Sequence, residues 1–180
     1  SIGTSIFDDP ESRILKMAEN VQDFSTGINS IDEMIGNVRR GELIICAATS
    51  SGGKSLWLGN TAIAIAKQLD VKNKKPLDAV IISLELNEDL YTKRLDVMAT
   101  GTNIKAHRSN AELIANELNE LKNEMGDVTV KFMHPQSTAS DIRAYLLEYS
   151  LLKGKYPDVL VVDYIALMGT SSGKRHANKF

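Results

Sequence analysis

Glu42-Leu43-Ile44-Ile45-Cys46-Ala47-Ala48-Thr49-Ser50-Ser51-Gly52-Gly53-Lys54-Ser55-Leu56-Trp57-Leu58 decides how the rest of the chain is read. Its first six residues, mostly apolar, predict a short strand. Ala48 to Ser55 predicts a loop of small residues, and Leu56 onward the start of a helix. Strand, small-residue loop and helix form the setting in which Gly-Lys-Ser binds phosphate. Small residues let the backbone wrap a polyphosphate with its N–H groups inward, and the helix turns its positive end toward the same anion. Ala48, Thr49, Ser50, Ser51, Gly52, Gly53, Lys54, Ser55 and Leu56 are therefore the expected nucleotide cradle. Lys54 is expected against the β- and γ-phosphates. The Ser55 hydroxyl is expected to complete a Mg²⁺ shell otherwise made of water and phosphate oxygens. Ala48 stands where the general pattern has glycine; alanine serves if its φ stays negative, with Gly52 and Gly53 supplying freedom nearer the phosphates. The competing reading is a Gly/Ser-rich turn that holds no ligand.

Composition narrows the classes. With 180 residues, 43% of them hydrophobic, the chain has room for one good core. No apolar run approaches the roughly 20 residues of a membrane-spanning helix. No secretory leader is visible. The single cysteine, Cys46, excludes a disulfide framework and reads as a small buried hydrophobe in the first strand. These points predict an intracellular, cytoplasmic chain. His107, His134 and His176 lack metal-ligand spacing and read as surface or loop residues. A formal net charge of -2 argues against a strong autonomous grip on nucleic acid, so such contacts are expected to be local or built from several copies.

The remaining pattern alternates. Asp9-Pro10 reads as N-cap and first residue of a helix running to Asn20, with Ile14, Ala18 and Val21 on one stripe. Phe24 to Ile28 reads as extended. Ser30-Ile31-Asp32-Glu33 reads as a capping box opening a helix that stops at Gly36. The helix after the phosphate loop is expected to reach about Leu69, followed by a lysine-bearing, solvated connection to Asp78. Ala79 to Leu84 reads as a strand buried on both faces, and a helix follows from about Asn87 to Gly101. Ser109-Asn110-Ala111-Glu112 reads as a second capping box, opening a helix to Gly126 that carries Ile114, Leu118, Leu121 and Met125. Val128 to Met133 reads as a strand, Ser137 or Thr138 as the cap of a helix ending at Gly154, and Asp158 to Asp163 as the last strand. Strands alternating with helices predict a mostly parallel sheet layered by helices, with ligands beyond the carboxyl ends of the strands. Three strands are thus expected to end in chemistry: at the phosphate loop, at Glu85 and at Asp163.

Asp163 follows four apolar residues, a Walker-B pattern, and a carboxylate there holds the Mg²⁺ that Ser55 and the phosphates share. The alternative is an acid that ends a strand and caps a turn. Glu85 follows its own apolar strand and stands where hydrolysis needs a group to orient or deprotonate the attacking water. The alternative is an acid favoured by a helix N-terminus, a role that suits Glu88 and Asp89 better.

Four separated motifs in order then resemble one family. Ser25-Thr26-Gly27-Ile28 with Ile31-Asp32, and Arg40 to Ser55, resemble the opening of a DnaB-type replicative DNA helicase motor domain. Ser83-Leu84-Glu85-Leu86 resembles that family's Ser-Leu-Glu-Met signature, followed by Lys93-Arg94-Leu95 and Met98-Ala99-Thr100-Gly101. Val161 to Met168 resembles its Walker-B run, and the spacing before it is similar to the T-even phage branch.

The resemblance implies a RecA-like P-loop ATPase fold and a homo-oligomeric, usually hexameric ring. It implies movement along single-stranded DNA driven by ATP with Mg²⁺, and duplex unwinding in DNA replication. It lends Glu85 the role of catalytic base beside Lys54. It divides the chain into residues 1–24, a lead-in and linker-type helix that packs on a neighbouring subunit, and residues 25–180, a C-terminally incomplete ATPase domain that is nearly inactive by itself. Primase and a helicase loader are possible partners. Gly169 to Phe180 falls where related helicases place a channel-facing loop, so Lys174, Arg175 and Lys179 are expected to touch DNA phosphates; the alternative is a frayed basic tail. Two rival readings are a RadA- or KaiC-type ATPase and a nucleotide-gated interaction module without hydrolysis.

Overall fold

The computed structural model describes residues 5–18 and 23–170. Its centre is a three-stranded parallel sheet in the order β4-β3-β5, formed by Ala79–Ser83 (β3), Val128–Phe132 (β4) and Val159–Asp163 (β5). Every residue of β3 is buried, as expected of a central strand covered on both faces. Ala79 and Ile81 point into a core with Ala62, Ile63, Tyr91, Leu95 and Val161. Val80, Ile82 and Leu84 point into a second core with Ile142 and Tyr149. Alternation along one strand therefore divides the interior between two helical layers. The α/β architecture is the one the alternating pattern predicts.

Lys54–Ala66 (α3) and Glu88–Thr100 (α4) cover one face, and Ala139–Lys153 (α6) covers the other. Ala111–Leu121 (α5) packs against α4, burying Ile114. The caps of α4 and α6 are as read. Asn87 accepts from the Leu90 N–H, and Thr138 forms a reciprocal capping box with Asp141, with Gly154 in left-handed backbone at the far end. At the amino edge, Asp23–Phe24 (β1) and Val38–Arg39 (β2) form a small antiparallel ribbon around Asn29–Ile35 (α2), preceded by Pro10–Ala18 (α1). No helix among the described residues is long and apolar enough to cross a membrane.

Several boundaries differ from expectation. Glu42 to Ala47 is not a strand: the segment is irregular, Leu43 is 82% and Ile45 70% exposed, and Cys46 is only partly buried. An apolar run says which side chains favour leaving water; it does not supply the ladder partner a strand needs. Only two strands, β3 and β5, accordingly end at the predicted chemistry. Neither predicted box at Ser30 or Ser109 caps its helix: α2 starts after Ile28 and α5 after Asn110, both without a side-chain cap bond. In α2 the reason is visible. The Ile31 and Asp32 N–H groups already bond the Ile28 carbonyl (2.9 and 3.0 Å), so Ser30 lies inside the first turn, while Asp32 accepts from the Ser25 hydroxyl (2.6 Å), the Thr26 N–H (2.9 Å) and the Thr26 hydroxyl (2.8 Å). The α3 helix ends at Ala66; Gln68 just beyond it bonds Ile65 through its backbone N–H and ties the chain to Ser25 through its side-chain amide, whose N–H donates and whose oxygen accepts. Helix α5 ends at Leu121, and hydrogen-bonded turns carry the chain on to Met125. His107 is paired with Asp96 at 2.9 Å in a partly buried contact rather than standing free. Asn20, Val21 and His176 lie outside the described residues.

Candidate functional site

The direction of α3 places the phosphate loop. At its far end the Ala66 carbonyl accepts from Gly126 N–H and the Gln68 carbonyl from Leu77 N–H, and these donors lead into β4 and β3. The end of α3 thus lies at the amino edge of the sheet. Thirteen helical residues span about 20 Å, and five strand residues about 16 Å. The first turn of α3, carrying Lys54 and Ser55, therefore stands at the carboxyl edge. Ser55, Leu58 and Ala62 share one helical face. Leu58 and Ala62 pack on Ile81 and Val161, so Ser55 extends that sheet-facing row by one turn.

The loop is shaped by Gly52 and Gly53 in different ways. Gly53, immediately before α3, has φ 82°, a left-handed conformation that glycine adopts without strain. At Gly52 the need is space: a Cβ there would lie 2.9 Å from both Ala48 Cβ and the Thr49 carbonyl oxygen. Ser51 also takes positive φ (58°), whereas Ala48 does not, which meets the condition for alanine at that position. Lys54 folds over the loop, its Nζ donating to the Ala48 (2.9 Å) and Thr49 (3.0 Å) carbonyls. Thr49, Ser50, Ser51 and Leu56 are exposed.

Asp163 ends β5 level with Ser83 at the end of β3. It lies two residues beyond Val161 and so faces the α3/α4 layer. The residue is 2% exposed, yet its Oδ1 has no hydrogen-bond partner. A buried carboxylate with an unpartnered oxygen is costly, and a cation held by the carboxylate offsets that cost. A loop with no room for a Cβ and a buried unpartnered carboxylate at one sheet edge together fit a phosphate–Mg²⁺ group.

Glu85 is exposed just beyond β3, among the described residues without a hydrogen-bond or ion-pair partner. Ser83 sets the turn that presents it: its hydroxyl donates to the Leu86 carbonyl (2.6 Å) and accepts from the Leu86 N–H (3.0 Å). Glu88 and Asp89 sit in the first turn of α4, as expected of dipole-favoured acids, and Glu88 also accepts from Phe132 N–H. The structure therefore brings Lys54, Ser55, Glu85 and Asp163 to one edge of one sheet. Lys174, Arg175 and Lys179 lie outside the described residues. Tyr91, whose buried hydroxyl also lacks a partner, escaped the sequence reading. A polar atom inside an otherwise apolar helical stripe was the available signal.

The DnaB-like helicase C terminal domain family matches residues 23–179. Among curated proteins, the chain is 27% identical over 151 residues to the replicative DNA helicase DnaB of Mycoplasma genitalium, covering 82% of this chain and 31% of that protein. It is 25% identical to the replicative DNA helicase DnaB of Rickettsia bellii over 174 residues, 93% of this chain and 35% of that protein. The corresponding Rickettsia prowazekii protein is 25% identical over 187 residues, 99% of this chain and 38% of that protein. The chain thus spans about a third of the length of the curated relatives it matches. The match is to the DnaB type rather than to a RadA- or KaiC-type ATPase, and it covers nearly the whole sequence: the chain belongs to the DnaB-like helicase C-terminal domain family.

Proposed function

We propose that this chain binds Mg²⁺-ATP in the motor of a ring-forming replicative DNA helicase and contributes to coupling ATP hydrolysis to movement on single-stranded DNA. The observation that carries this reading is the meeting of the α3 N-terminus, Glu85 and Asp163 at the carboxyl edge of the sheet. Backbone N–H groups from Ala48 to Leu56 bind the phosphates, and Lys54 exchanges its loop carbonyls for the β- and γ-phosphate oxygens. Ser55 and Asp163 hold Mg²⁺, which when bound offsets the negative charge of the phosphates. Glu85, solvent-facing and unpartnered, orients and deprotonates the attacking water.

Residues 25–180 form the ATPase domain in this reading, and residues 1–24 the linker. Ile14 (60%) and Leu15 (58%) stand exposed on α1, which supports docking of that helix on a neighbouring subunit of a hexamer. Lys174, Arg175 and Lys179 approach DNA phosphates in the channel, primase and a loader act on the assembled ring, and the ring works in the cytoplasm. The test is titration of a fluorescent ATP analogue with Mg²⁺ into the protein and its Lys54→Ala variant. Saturable binding lost at least tenfold in the variant supports the reading; equal binding by both overturns it.

A further inference from the structure

Helices α3 and α4 both start at the carboxyl edge, the latter anchored there by the Glu88 bond to Phe132, the last residue of β4. They pack together at Gly59, where a Cβ would lie 2.9 Å from Met98 Sδ and 3.1 Å from Leu95 Cδ2. One turn back from Gly59 and from Leu95, toward the carboxyl edge, stand Ser55 and Tyr91. Tyr91 is 1% exposed and packs with Ile81 and Val161, the residues two positions before Ser83 and Asp163 on the same face. Its ring is therefore directed toward the end of β5. There the Tyr91 hydroxyl and Asp163 Oδ1 are both buried and both without a partner. Two such groups, a donor and a charged acceptor, complement one another. Burial first, and then the nearby Asp163 carboxylate, pushes the Tyr91 hydroxyl above the usual phenol range.

We propose that Tyr91 is a positioning residue for Asp163: its hydroxyl donates to Oδ1 and leaves the second carboxylate oxygen directed at the cation that Ser55 shares. This deepens the nucleotide-site reading and rests on it. The arrangement supplies what metal ligands ordinarily receive from their surroundings, a fixed orientation of the ligating carboxylate. Nothing in the ring's packing requires the oxygen, since phenylalanine fills the same apolar space.

The test measures binding of the fluorescent ATP analogue across a Mg²⁺ titration and in EDTA, for the wild type, Tyr91→Phe, Tyr91→Leu and Lys54→Ala. Loss of a group that orients a metal ligand lowers metal affinity by about tenfold or more. Both Tyr91 variants should therefore need about tenfold more Mg²⁺ for half-maximal binding, while their affinity in EDTA equals that of the wild type. An unchanged Mg²⁺ half-point in both variants overturns the proposal. So does a loss of the same size in EDTA, which indicates a packing role. Wild-type binding by Lys54→Ala removes the nucleotide-site reading and Tyr91's role with it. Lost binding there, with unshifted Tyr91 variants, removes only the role of Tyr91.

Discussion

Replacing Gly52 by alanine separates the geometry of the phosphate loop from the stability of the fold. The added methyl would sit 2.9 Å from Ala48 Cβ and the Thr49 carbonyl oxygen, whereas ordinary contacts begin near 3.4 Å. The loop must therefore open by about half an ångström, and since one misplaced by about 1 Å loses on the order of a hundredfold, the expected loss is about tenfold. That corresponds to about 1.4 kcal/mol of binding free energy. Stability should fall less than at a glycine whose backbone is left-handed. Gly52 does not take left-handed backbone, so the native cost of alanine is confined to its crowding against Ala48 and Thr49, offset in part by the restricted unfolded chain. Gly53→Ala is the contrasting case: nothing lies within 4 Å, but φ is 82°, so the cost is about 1–2 kcal/mol of backbone strain. The assay pairs titration of the fluorescent ATP analogue with thermal melting. Gly52→Ala should bind about tenfold more weakly and lose less melting temperature than Gly53→Ala. Undiminished affinity would refute the argument from loop geometry, and a melting loss as large as that of Gly53→Ala would refute the argument from backbone conformation.

Glu85→Gln should leave Mg²⁺-nucleotide affinity within about twofold and slow any hydrolysis at least a hundredfold, as removal of a general base does; phosphate release and binding measured on one preparation check this. Ile81, fully buried between two helical layers, should cost about 2–5 kcal/mol on truncation to alanine, read as a lower urea midpoint. Acid should weaken the fold in a defined direction. The Ser25 hydroxyl, with the Thr26 backbone N–H, holds Asp32 below its ordinary value. Burial pushes Asp158 up, but the Arg40 guanidinium and the Asp78 N–H outweigh it, and Asp158 too is lowered. Such groups bind protons less readily in the folded chain than in the unfolded one. Their stabilisation is complete above about pH 4 and lost as pH falls through the lowered values. Asp32→Asn should flatten part of that acid dependence in melts between about pH 5 and pH 2.

What could be read in advance follows from where each instruction resides. Ala79 to Leu84 declares a central strand by its composition, and Asn87, Thr138 and Gly154 declare helix ends by local hydrogen bonding and backbone freedom. That Lys54, Ser55, Glu85 and Asp163 stand at one edge was legible because strand ends and helix starts in such sheets gather there. Leu43 to Ala47 shows the limit: its apolarity is local, but pairing depends on a partner elsewhere, and it runs irregular and exposed. Ser30 and Glu33 had the right spacing for a capping box, yet the helix begins one residue earlier, at Asn29, and leaves Ser30 inside its first turn. Tyr91 was unreadable for a related reason. Its significance comes from the register of β3 with β5 and from the close approach of α3 and α4 at Gly59, neither of which is written in its neighbours.

Paramagnetic broadening by Mn²⁺ with a non-hydrolysable ATP analogue, followed in backbone amide NMR spectra, tests the central geometry most directly. Signals of Gly52 to Leu56, Glu85 to Leu86 and Asp163 to Tyr164 should broaden together, while those of Ala79, Val128 and Val159 at the opposite edge stay sharp. Broadening that reaches the loop but spares either strand end, or that is uniform across the sheet, would contradict a shared cation site at the carboxyl edge.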